Sequence, residues 1–174
     1  KTVPSSDDKW VTFQVECSVP GALYNMPNVL FYDTLASWGA EYGYVQQHPD
    51  SLTVTITPEN GEPYALQPYS EGGPTENTYL LVEDGQTFVL YFNTSQPSGE
   101  TSVWKCNVDS TLTVSYRISL DSPMLDNWGG EPNGETLRQF FERTCQAFTN
   151  SAALTYSAKD EVSDSINWSP PREP

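Results

Sequence analysis

The amino-acid sequence predicts an all-β fold, an immunoglobulin-like antiparallel β-sandwich with a short helical insertion before the last strand. Three observations carry this prediction. Apolar and polar residues alternate in one segment after another, which is the period of half-buried strands. The segments recur at intervals of about 10 to 25 residues, separated by Gly, Pro and Asn turn signals, as in sandwiches. One segment, Glu135 to Phe148, changes to helical spacing.

The elements follow in order. Lys1-Thr2-Val3 opens the chain, and Val11, Phe13 and Val15 alternate after it, with Cys17 on the same face. Val29, Phe31, Asp33 and Leu35 form the next series. Leu52, Val54 and Ile56 lead into Pro58-Glu59-Asn60-Gly61, a turn signal. Tyr79 to Val82 precede Asp84-Gly85, and Phe88, Leu90 and Phe92 end at Asn93. Val103-Trp104 begins a further strand. Leu112, Val114, Tyr116, Ile118 and Leu120 make the longest clean alternation. The loop Gly129-Gly130-Glu131-Pro132-Asn133-Gly134 excludes helix. After it Leu137, Phe140, Phe141, Thr144 and Phe148 form an apolar stripe that should pack on the sandwich. Asn150, Ala152, Leu154 and Tyr156 alternate along the last strand.

A chain of 174 residues suits one large domain or two small ones, and 37% apolar residues in alternation suffice for a core. The net charge of −15 argues against nucleic acid and anionic membrane as partners, because both are polyanions. No run is long enough to span a bilayer. The start shows no signal peptide, and Ser169-Pro170-Pro171-Arg172-Glu173-Pro174 reads as a linker. The expected organisation is therefore a domain over 1–168 and a Pro-rich linker over 169–174, within a longer modular polypeptide.

Most chemistry is thinly represented. Cys17, Cys106 and Cys145 are odd in number, a poor disulfide framework that leaves one pair and one free thiol open; Cys17 reads as a buried small hydrophobe, and the favoured pair is Cys106 with Cys145. No Cys/His spacing suggests zinc. No cofactor and no metal site are expected, although the oxygen-rich loop from Asp126 to Glu135 leaves calcium open, without EF-hand spacing. His48 is the only histidine, so general-base chemistry is scarce and an enzyme is not expected. Asn93-Thr94-Ser95 and Asn167-Trp168-Ser169 are glycosylation sequons. Trp10, Trp38, Trp104, Trp128 and Trp168, with ten tyrosines, could supply a sugar-stacking face.

The candidate site is different in kind. Residues two apart share a face of a strand, so Asp33 and Asn150 fall on apolar faces, as does Lys1. A buried carboxyl and a buried carboxamide need partners. Burial also drives an amine toward its neutral, nucleophilic form and a carboxyl toward its protonated form.

These residues carry a family resemblance. Lys-x-Val, a V-x-F-x-V strand ending in Val19-Pro20, F-Y-D-T-L around Asp33, L-T-V-S-Y ending at Tyr116, and N-S-A-A-L-T-Y-S from Asn150 occur in that order. The pattern, over residues 1 to 165, resembles the isopeptide-forming domains of Gram-positive pilins and surface adhesins, nearest to the collagen-adhesin A-type or pilin D2-type module. The resemblance implies a covalent bond from Lys1 to Asn150, promoted by Asp33, as a single self-modification without turnover. It also implies a structural stalk or shaft module. Its partners would be neighbouring domains or pilin subunits of an extracellular, cell-wall-anchored assembly, its anchor outside this segment. The alternative is a ligand-binding module for a host protein or carbohydrate in such an adhesin. The chain departs from the family in its long 121–149 segment and in Ala36-Ser37-Trp38 before Gly39. Lys9 is the rival nucleophile, ranked below Lys1.

Overall fold

Two five-stranded layers face each other in the computed structural model, which describes residues 2–6, 9–21, 26, 28–35, 43–93, 107–126, 129–145, 148–156 and 161–168. For 2–6, 148–149 and 161–168 the description is of the backbone. The strands are β1 (Thr2–Ser6), β2 (Trp10–Val19), β3 (Val29–Leu35), β4 (Tyr44–Val45), β5 (Asp50–Pro58), β6 (Tyr64–Pro68), β7 (Thr78–Asp84), β8 (Thr87–Phe92), β9 (Ser110–Ser119), β10 (Pro123–Leu125), β11 (Pro132–Thr136), β12 (Phe148–Thr155) and β13 (Glu161–Trp168). The one helix among the described residues, α1 (Leu137–Thr144), lies between β11 and β12.

One layer runs β1-β2-β9-β5-β6 and the other β7-β8-β3-β12-β13. A short parallel pairing, Gln67 with Thr78 and Pro68 with Tyr79, joins β6 to β7; the other pairings are antiparallel. The alternation read from sequence is the alternation of burial. Val11, Phe13, Val15, Cys17 and Val19 point into the core from β2, and Leu112, Val114, Tyr116 and Ile118 from β9. Phe31 and Leu35 enter from β3, Phe88, Leu90 and Phe92 from β8, and Ala152 and Leu154 from β12. The layers meet around Tyr116. Its ring stacks on Phe13, with centroids 5.5 Å apart, and meets the edge of Phe88 at 5.0 Å. Each large side chain so buried is worth roughly 1.5–3 kcal/mol relative to exposure.

The turns match the residues that form them. Asn60 takes φ 58 in the Pro58–Gly61 turn, where the Gly61 amide donates to the Pro58 carbonyl at 3.0 Å. Asn93 ends β8 at φ 55. Asparagine tolerates this left-handed region better than most residues.

The 121–149 segment holds more than a helix. β10, β11 and β4 form a separate three-stranded sheet. Thr136 caps α1: its side chain accepts from the Gln139 amide at 3.2 Å, and Gln139 accepts from the Thr136 amide at 2.9 Å. The next two amides, of Leu137 and Arg138, donate to the carbonyls of Ser122 and Leu120 just past β9, each at 2.8 Å. Leu137, Phe140 and Phe141 are buried in the main core, as the stripe requires. The helix is shorter than the spacing predicts. Cys145 turns left-handed at φ 56 and its amide donates to the Phe141 carbonyl, which closes the helix; Phe148 belongs to β12. β13 then pairs along all of β12, from Phe148 with Trp168 to Thr155 with Glu161.

Cys17 is buried, as read. Cys145 is an exposed free thiol, so the pairing considered with Cys106 is not made; Cys106 lies outside the described residues. The strand expected at Val103-Trp104 and the tail 169–174 also lie outside them.

Candidate functional site: a buried carboxyl between two amides and a phenol

Asp33 and Asn150 come from neighbouring strands. In the β3–β12 register Asp33 opposes Ala152 and Asn150 opposes Leu35, so the two polar residues are diagonal neighbours on the inner face. That face is the core. Asp33 and Asn150 are both 0% exposed. The Asn150 Nδ2 donates to Asp33 Oδ1 at 2.5 Å and reaches the Thr34 carbonyl at 3.4 Å. β12 is paired on both sides, by β3 and β13, so the ladder fixes the backbone that carries Asn150.

Two further residues complete the site. Tyr116 crosses from the opposite layer: its hydroxyl donates to Asp33 Oδ1 at 2.7 Å and accepts from Asn150 Nδ2 at 3.0 Å. Burial first, and the Asp33 carboxyl second, push the Tyr116 hydroxyl well above its ordinary value of 10.0, so it stays a donor. Gln47 follows β4 in an extended segment in which every second residue from Gly43 to Pro49 is buried. Its Nε2 donates to Asp33 Oδ1 at 2.8 Å. One carboxyl oxygen thus gathers two carboxamides and a phenol, in a core lined by Phe13 and Phe88.

Sequence reasoning missed both partners. Tyr116 was legible only as a member of an apolar alternation, and its polar tip was the overlooked signal. Gln47 has Val45 as its only strongly apolar neighbour on the buried face, so nothing local marked it as inward.

Lys1, the expected nucleophile, lies outside the described residues. Lys9, the one lysine among those described, is exposed. Of the other candidates, Trp38, Trp104 and Trp128 lie outside the described residues, Asn167 and Trp168 are described by backbone alone, and the rest make contacts within the fold. The His48 ring is exposed and pairs with Glu83 at 2.8 Å. Asn93 is buried and donates to the Met26 carbonyl at 3.0 Å, so its amide is engaged inside the fold. Asp126 Oδ1 accepts from the Gly129 amide at 2.7 Å, closing its own loop. Trp10 is stacked beneath the Arg117 guanidinium at 3.8 Å, and Arg117 in turn pairs with Asp50. Among the described side chains the aromatic ones are buried or half-buried. Among the described residues no helix is long and apolar enough to cross a membrane.

The arrangement is suited to acyl transfer at Asn150. Its amide nitrogen, the atom that would leave, already touches a buried carboxyl that can deliver a proton to it.

No protein-family model matches the chain, and no curated protein does. Two solved structures do. One, described as the pilus 2b backbone protein of group B streptococcus, is 15% identical, with a TM-score of 0.50 over 92% of this chain and 52% of that one. The other, described as manganese lipoxygenase of Gaeumannomyces graminis with partial zonadhesin of Komagataella pastoris, is 10% identical, with a TM-score of 0.45 over 95% of this chain and 44% of that one; so weak a likeness adds nothing. The chain spans about half the length of each structure it matches. The likeness is one of fold: this chain is similar in fold to part of that pilus backbone protein.

Proposed function

We propose that this chain is a structural stalk module of a Gram-positive surface pilus or adhesin, rigidified by an autocatalytic isopeptide bond between Lys1 and Asn150. The observation that carries this reading is the fully buried contact of the Asn150 carboxamide with the Asp33 carboxyl. A fold gains little from hiding these groups unless the site has a use.

Lys1 enters through strand order. Thr2 opposes Gln14, which alternates with the buried Phe13 and Val15. Lys1 itself lies outside the described residues; in sequence it precedes the strand that pairs with β2, whose Phe13 packs on Tyr116. In the reaction the neutral Lys1 amine attacks Asn150 Cγ, and a nitrogen–carbon bond forms. The Cγ–Nδ2 bond breaks and ammonia leaves. Asp33 takes one proton from the attacking nitrogen and delivers one to Nδ2, so the carboxyl ends as it began. Tyr116 holds the carboxyl and the amide together while this happens. Folding supplies the proximity that replaces a bimolecular encounter.

The event occurs once per molecule, so the chain is not an enzyme in the sense of turnover. Its partners are neighbouring domains or subunits of the same extracellular, cell-wall-anchored assembly. Proteolytic digestion and tandem mass spectrometry test the reading. A branched peptide joining Lys1 to Asn150 is expected. Recovery of both residues only in linear peptides from folded protein overturns it.

A further inference from the structure

The site holds a second carboxamide that bond formation does not consume. Gln47 is 0% exposed. Its Nε2 donates to Asp33 Oδ1 at 2.8 Å and lies 3.4 Å from the Asp33 backbone carbonyl. Its Oε1, equally buried, has no hydrogen-bond partner among the described residues. An amide oxygen hidden without a donor bears its full desolvation penalty, so native proteins seldom keep one unless a donor arrives.

The fold invests in placing it. The Gln47 amide donates to the Gly85 carbonyl at 2.7 Å, locking the segment beside the β7–β8 turn. β4 pairs with β10 through Val45 with Met124 and Tyr44 with Leu125. Gly43 makes that approach possible: at φ +84, a Cβ there would sit 2.3 Å from the Leu125 carbonyl oxygen. The segment is held from both sides, which suits a residue whose task is geometry.

We infer that Gln47 is a positioning residue for isopeptide formation, holding the Asp33 carboxyl through Nε2 and the attacking Lys1 amine through Oε1. This inference rests on the isopeptide reading of the site. A primary amine attacks through its lone pair. An acceptor that takes one N–H directs that lone pair, and the carboxyl remains free to take the proton lost in the attack. Gln47 has one donor committed to the acid and one acceptor open to the amine, which is the set required. Asn150 offers its carbon and Gln47 its oxygen, so only one of the two carboxamides is consumed.

The test follows ammonia loss by intact mass in the full chain, released from cell-free synthesis and quenched at intervals. The wild type is compared with Gln47→Met and Gln47→Glu, and folding is followed by far-UV circular dichroism. Gln47→Met keeps the packing volume and loses both polar contacts; bond formation is expected to slow about 100-fold in folded protein. Gln47→Glu separates positioning from packing. A protonated glutamic acid keeps one of glutamine's two donors and its acceptor, whereas the carboxylate offers acceptors alone. Its rate relative to wild type is therefore expected to rise toward one as pH falls. The titratable groups facing residue 47 are Asp33 on β3 and Tyr116 on β9, with Lys1 by the proposal; the His48 ring lies on the exposed side against Glu83 of β7. Asp33, Tyr116 and Lys1 are common to both proteins, so the ratio reports residue 47 together with the Asp33 carboxyl that it touches.

A wild-type rate for Gln47→Met overturns the inference alone, as does a relative rate for Gln47→Glu that ignores pH. If Gln47→Met does not fold, the Gln47→Glu ratio decides by itself. A branched peptide at Gln47 instead of Asn150 overturns it too, by making Gln47 the acyl donor. Wild-type protein that keeps its ammonia overturns the isopeptide reading and this inference with it.

Discussion

At the scale of the residue, Asp33 decides what its three neighbours can do. Tyr116, Gln47 and Asn150 all donate to its Oδ1, so removing the carboxyl takes an acceptor from three buried donors. Asp33→Asn keeps the shape and is expected to leave a folded chain that retains its full mass; complete ammonia loss in that variant would show that the carboxyl is not the promoter. Tyr116→Phe keeps the stack on Phe13 and loses the hydroxyl, and should cost about 1–2 kcal/mol in denaturant unfolding. The phenol also makes a pH prediction. Its folded pKa is raised above 10.0, so its contribution is whole below 10.0 and is lost as pH rises from there toward the folded value, because the unfolded tyrosine ionises first. Wild-type stability should therefore fall more steeply above that pH than that of Tyr116→Phe, measured by denaturant midpoints; parallel curves would contradict the buried donor. Half of this site was legible in sequence. Asp33 and Asn150 interrupt apolar alternations, and a polar residue in such a series is conspicuous. Gln47 interrupts nothing, since Gly43 and Pro49 share its face, and its burial is decided by contacts with Gly85 and β10 far along the chain.

At the scale of the element, the same contrast separates long strands from short ones. β2, β8, β9 and the strand of Asn150 declared themselves because each carries at least three apolar residues at period two. β4, β10 and β11 have two, three and five residues, with prolines opening the last two. Strands that short are made by their partners and not by propensity. The helix was legible in its stripe but not in its end, because a left-handed Cys145 is a tertiary outcome that no glycine announced. The helix anchors the region that positions Gln47, through the backbone bonds of Leu137 and Arg138. Phe141→Asp would bury a charge in the main core and is expected to lower the melting temperature by several degrees, as a loss of about 3 kcal/mol or more would. An unchanged melting temperature would mean that the helix is detached from the core. Gly43→Ala attacks the other support. Its Cβ meets the Leu125 carbonyl oxygen, so β4 must shift, and the variant should both lose about 1 kcal/mol or more and form the bond more slowly. Wild-type stability and rate together would dismiss the close approach as a constraint.

At the scale of the whole molecule, a bond from Lys1 to Asn150 would tie the first strand to β12 and enclose nearly all of the core. If the cross-link acts on unfolded-state entropy as a disulfide does, a loop of about 150 residues is worth roughly 5 kcal/mol. The mechanical consequence is larger. Tension entering at Lys1 would pass through the bond into β12, bypassing both layers. Single-molecule pulling from the two ends should therefore yield almost no extension from residues 2 to 149, whereas Asn150→Ala should unravel to nearly full contour length. Equal extension of the two proteins would remove the load-bypassing role and favour a ligand-binding module. All of this depends on the chemistry at one buried carboxamide, and the intact mass of the purified, folded chain reads that chemistry directly. A mass lower than that of the sequence by one ammonia, restored in full by Asp33→Asn, is the result expected; an unmodified mass in folded wild-type protein would contradict the account at its centre.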